Sequence, residues 1–89
     1  MKIELGCGKI KKAGYIGIDI YDWSFLYNKD EFILGKVPEI LNKFKDNSIE
    51  EVLAEQFIEH IEQENVIRTF NEIYRILIVN GLFKILVSI

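Results

Sequence analysis

The sequence predicts an α/β domain, and three observations lead there. Lys2 to Leu5 and Ile16 to Ile20 are short segments with β-branched residues beside glycine-containing turns, which read as strands. Glu62 to Leu77 carries apolar residues at helical spacing. Leu82 to Val87 is a nearly continuous apolar run after a glycine turn, and its shortness fits a buried strand better than a helix. With 49% apolar and 28% charged residues, the 89-residue chain has the composition of one globular domain and not of a disordered segment.

Between these elements, Phe32 to Leu34 is a third, weaker strand. Pro38 precedes Ile40, Leu41 and Phe44 at helical spacing, which predicts a short helix whose first turn holds a proline where its missing N–H costs nothing. The stripe of the longer helix is Val66, Ile67, Phe70, Ile73, Tyr74 and Leu77, and Asn80-Gly81 supplies residues that tolerate the left-handed conformation at its end. Residues 48–61 admit two readings. Ser48-Ile49-Glu50-Glu51 matches a helix capping box, and the apolar residues beyond it favour one long helix from Ser48 to Leu77. The competing reading makes Glu51 to Glu55 a strand. The residues alone leave both open.

Charge and cysteine content narrow the class of function. A net charge of -3 gives no electrostatic footprint for nucleic acid, and Lys9, Lys11 and Lys12 read as solvated loop charges. The acidic run from Glu50 to Glu72 reads as a solvated helix face. Cys7 is the only cysteine, so no intrachain disulfide forms and no cysteine-based metal site is expected. The N-terminus lacks a signal-peptide pattern and no apolar stretch reaches the length of a membrane span. A soluble, cytoplasmic protein without a membrane partner is the expectation.

The sharpest motif is Glu4-Leu5-Gly6-Cys7-Gly8, directly after the first strand. Gly6 and Gly8 let the backbone turn tightly and approach a ligand. Asp19, eleven residues past Gly8, closes the second strand, where a carboxylate can accept from both ribose hydroxyls of a nucleoside cofactor. A dinucleotide is disfavoured. Its fingerprint needs G-x-G-x-x-G opening a helix, whereas the six residues from Lys9 to Gly14 are too few for a crossover helix to hold a pyrophosphate. A glycine-rich turn that only joins two strands is the competing reading of this motif.

Taken in order, Glu4 to Gly8, Gly14-Tyr15-Ile16-Gly17-Ile18-Asp19, Asp46 to Ala54, Glu59-His60-Ile61, Glu72 to Leu77 and Gly81 to Ile85 resemble the small class I S-adenosylmethionine-dependent methyltransferases. The resemblance implies a Rossmann-like parallel sheet in the order 3-2-1-4-5, with a strand at about Glu51 to Glu55 and the cofactor across the C-terminal strand ends. It implies that Glu4 and the backbone of Gly6, Cys7 and Gly8 hold the methionine part. Asp19 then holds the ribose, Ile20 packs on the adenine, and Gln56 lies near the methyl group. The cofactor that the resemblance implies is S-adenosylmethionine, with no metal required. His60, the only histidine, is a conceivable base, while its counterpart in the family is more often a structural or site-shaping residue. The methyl acceptor is not identified by any residue pattern.

Two departures from the family pattern stand out. Lys36 occupies the place of an acidic residue that contacts the adenine amino group, and lysine cannot accept a hydrogen bond. Ile78-Val79-Asn80-Gly81 replaces the K-P-G-G turn. The first functional expectation is therefore a methyltransferase. The second is a degenerate, non-catalytic domain of the same fold acting as a binding or oligomerisation module. Residues 1–89 are expected to form a single, incomplete domain truncated after the fifth strand. The exposed edge of that strand predicts a homo-oligomer or a partner chain. Light scattering at micromolar concentration should give at least a dimeric mass; a monomeric mass contradicts the pairing.

Overall fold

The computed structural model describes residues 1–87. Five parallel strands, β1 (Lys2–Leu5), β2 (Ile16–Asp19), β3 (Phe32–Leu34), β4 (Ile49–Glu55) and β5 (Leu77–Leu86), form one sheet in the order β3-β2-β1-β4-β5. This is the expected 3-2-1-4-5 arrangement. Register is set around β1: Ile3 lies opposite Ile16 and Val52, and Leu5 lies opposite Ile18. Ile3, Leu5, Ile18, Val52 and Ala54 meet Ile73 and Ile76 of the α-helix α1 (Gln63–Ile76) in the core. Each fully buried isoleucine or leucine there contributes about 1.5–3 kcal/mol.

Residues 49–55 are a strand. The capping-box reading fails because Ser48 does not start a helix: its hydroxyl donates to the Lys45 carbonyl at 2.7 Å, and its N–H donates to Ile76 O at 2.8 Å. Ile49–Glu55 is then pinned between two neighbouring strands. Tertiary pairing overrides the local helical pattern.

The long helix differs from expectation in its face and its end. Thr69, Ile73 and Ile76 are its buried residues, whereas Ile67 (74% exposed) and Tyr74 (82%) point to solvent. Thr69 is tolerated in the core because its hydroxyl donates to Asn65 O at 2.7 Å. A reading that scores only apolar residues places the stripe too far round the helix. The helix also stops at Ile76, not at Asn80-Gly81. Asn80 does adopt a positive φ (67°), but within β5, where the pairing with β4 shifts between Ile49 and Glu51. The segment after Pro38 is a 3-10 turn, Glu39–Lys43.

Arg75 ties this turn to α1. Its guanidinium donates to the carbonyls of Leu41 (3.0 Å) and Phe44 (2.9 Å), and pairs with Asp46 (2.8 Å) and Glu72 (2.9 Å). The fork geometry of arginine suits this shared task, which a single ammonium group could not perform. No helix among the described residues is long and apolar enough to cross a membrane.

The β1–β2 connection, Gly6 to Tyr15, contains no helix. It folds back onto β2 so closely that a Cβ on Gly17 would lie 2.5 Å from Cys7 Sγ. Burial, aided by the nearby carboxylates of Asp19 and Glu4, pushes the Cys7 thiol up to about 12. At pH 8 only about one molecule in ten thousand then carries the thiolate that reacts with alkylating agents. Native protein should therefore react with iodoacetamide orders of magnitude more slowly than urea-unfolded protein. Equal rates would contradict this packing.

Candidate functional site

The C-terminal ends of β1, β2, β3 and β4 open onto a cleft of about 840 Å³. It lies where neighbouring connections leave the sheet in opposite directions, the usual ligand position in open α/β sheets. Each strand contributes the residues that follow it. Gly6 and Gly8 come from β1, Asp19 to Tyr21 and Trp23 from β2, Leu34 to Val37 from β3, and Gln56, Phe57, His60 and Ile61 from β4. Glu62 and Asn65 at the start of α1 close the rim.

Gly6 is required here twice over. Its φ is +66°, in the left-handed region, and a Cβ would lie 2.5 Å from the Phe57 ring. The loop from β1 and the turn after β4 can therefore meet only at a residue without a side chain. Gln56 also holds a positive φ (52°), an uncommon conformation for a non-glycine residue and one often found at functional sites.

Without a helix to satisfy them, the N–H groups of the β1–β2 loop turn to side chains and strand carbonyls. Gly6 N–H donates to Ile18 O at 2.8 Å, and Gly8 N–H to Asp19 Oδ2 at 2.8 Å. Lys11 N–H donates to the Tyr27 hydroxyl at 3.0 Å, and Lys12 N–H to Glu4 Oε1 at 2.7 Å. Tyr27 in turn donates to the carbonyl of Lys9. The Lys11 ammonium reaches Glu31 at 3.4 Å and holds that carboxyl below the usual carboxylate range. Burial raises the pKa of Glu4, and the Lys12 N–H bond partly offsets the shift.

The expected site residues fall into two groups. Gly6, Gly8, Asp19, Ile20 and Gln56 line the cleft, and so does His60. Glu4 and Cys7 are buried and do not line it. Glu4 holds the loop instead, through Lys12. Lys36 is at the rim, and its Nζ lies 3.5 Å from Glu62 Oε1, so the residue just before α1 brings a carboxylate to the place where the sequence has a lysine. Among the described residues, no cluster of histidine, cysteine, aspartate or glutamate has the arrangement of a metal site.

Several lining residues are not singled out by the sequence reading, Phe57, Glu62 and Trp23 among them. Phe57 and Glu62 reach the cleft only because β4 and α1 are placed by the sheet. Trp23 carried a readable signal: it is the sole tryptophan, four residues past Asp19. In the structure its indole N–H donates to Asp19 Oδ2 at 3.2 Å.

Comparison with known proteins gives the same lineage. A solved structure of a SAM-dependent methyltransferase from Archaeoglobus fulgidus superposes with a TM-score of 0.73 at 20% identity, over 86% of this chain. At that identity the likeness speaks for the fold, and this chain spans 39% of that one. Comparison with curated proteins gives no match. The family described as "Methyltransferase domain" matches residues 3–85. With nearly the whole chain matched, and with its five parallel strands in the order β3-β2-β1-β4-β5, the protein belongs to the methyltransferase domain family.

Proposed function

We propose that the cleft binds S-adenosylmethionine and that the chain acts in methyl transfer to an acceptor. The observation that carries this reading is the place of Asp19. A carboxylate stands at the C-terminal end of β2, inside the cleft, with the Gly6–Gly8 turn folded against it. Two vicinal hydroxyls are the natural partners of a carboxylate so placed.

The remaining lining fits the rest of such a cofactor. Ile20, Leu34 and Val37 offer apolar walls for a purine ring. The Lys36–Glu62 pair offers both a donor and an acceptor at the rim, so the missing acidic residue after β3 does not leave the adenine edge without an acceptor. The bound cofactor would supply an activated methyl group on a sulfonium. What the protein must then supply is positioning and, for a protonated acceptor, a base. His60 lines the same cleft and is the imidazole available for that task.

Calorimetric titration with S-adenosylmethionine should give saturable binding near one site per chain. Asp19→Ala removes the ribose acceptor and should weaken binding by at least about tenfold, the cost of losing hydrogen bonds to a charged group. Absence of saturable binding up to millimolar cofactor would overturn the reading. Binding that Asp19→Ala leaves unchanged would remove the ribose role.

A further inference from the structure

Asp19 is already engaged. Its Oδ2 accepts from Gly8 N–H at 2.8 Å and from the Trp23 indole N–H at 3.2 Å, and its Oδ1 accepts from Tyr21 N–H at 3.2 Å. A carboxylate offers about four lone-pair positions, so three bonds leave roughly one free. A ribose presents two hydroxyls. One present donor must therefore give way before both hydroxyls can bind.

The three donors are not equally able to leave. Gly8 N–H belongs to a loop that Tyr27 and Glu4 hold through the neighbouring residues. Tyr21 N–H belongs to the turn that leaves β2, two residues from Asp19 itself. The indole alone sits on a side chain that can rotate without moving the backbone. Trp23 also lines the cleft, where its indole N–H faces the Asp19 carboxylate. It is half-buried, with the Lys9 ammonium 5.7 Å from its centroid and the rings of Tyr21 and Phe25 at 6.4 and 6.3 Å. These neighbours give the ring a defined resting place against Asp19.

We infer that Trp23 is a gate on the ribose end of the cleft. Its indole N–H takes a position on Asp19 that a ribose hydroxyl requires, and a nucleoside ligand binds by displacing it. The indole keeps Asp19 hydrogen-bonded when no ribose faces it, since a carboxylate in a largely apolar cleft loses less with a donor in place. It also lowers affinity, because each binding event breaks one hydrogen bond to a charged group before making two. Trp23 acts on the ligand through Asp19 and is a positioning residue.

This inference rests on the cofactor reading, and the test separates the two. S-adenosylhomocysteine is titrated into the wild-type protein and into Trp23→Phe, which keeps an aromatic ring and loses the N–H. Calorimetry should show the variant binding roughly fivefold to tenfold more tightly, the gain expected when one competing hydrogen bond is removed. In the wild type, the single indole N–H resonance of the 1H–15N spectrum should shift upfield on saturation as it leaves the carboxylate. That second measurement does not depend on the variant folding. Binding by the wild type with an unmoved indole resonance, or a variant that binds no more tightly, overturns the gate and leaves the cofactor reading standing. Failure of both proteins to bind up to millimolar ligand overturns the cofactor reading and the gate with it.

Discussion

Everything at the cleft depends on how ten residues, Gly6 to Tyr15, join two neighbouring parallel strands without a helix. Parallel strands ordinarily need a longer crossover, and the helix in it satisfies its own backbone. Here that solution is absent. The loop bonds of Gly8, Lys11 and Lys12 are partly buried, and a backbone N–H shielded from water without a partner costs about as much as a lost hydrogen bond. Asp19, Tyr27 and Glu4 supply the partners, from β2, from the β2–β3 connection and from β1.

That solution links fold and function through single residues. Asp19 fixes the glycine turn through Gly8 N–H and presents its carboxylate to the cleft. Glu4 is buried, does not line the cleft and is spent on Lys12. The loop in turn presses Cys7 onto Gly17 and leaves Gly6 facing Phe57. A side chain at Gly6 would push apart the loop and the post-β4 turn, the two walls that give the cleft its depth. Local backbone conformation and ligand access are here one constraint.

Much of this was legible in the residues. β1, β2 and β3 were readable because short β-branched segments beside glycine turns leave few alternatives, and the place of Asp19 followed from the end of β2. The strand at residues 49–55 was not readable from pattern, since Ser48-Ile49-Glu50-Glu51 has the local features of a helix start; only pairing between β1 and β5 decides it. The buried face of α1 was misplaced because Thr69 is polar and its partner, the Asn65 carbonyl, is invisible to a hydrophobic pattern. Phe57 and Glu62 join the site through tertiary placement. Trp23, the sole tryptophan and four residues past Asp19, joins it through the indole hydrogen bond to that carboxylate.

Amide hydrogen exchange in the loop tests the central claim most directly. If side chains replace the missing helix, the N–H groups of Gly8, Lys11 and Lys12 should exchange markedly more slowly than a solvated amide, with protection approaching that of the strand edges. Asp19→Ala should release Gly8 while leaving Lys12 on Glu4 protected. Exchange of all three at the rate of an open loop would contradict the account, because the turn that shapes the cleft would then be held by something other than these side chains.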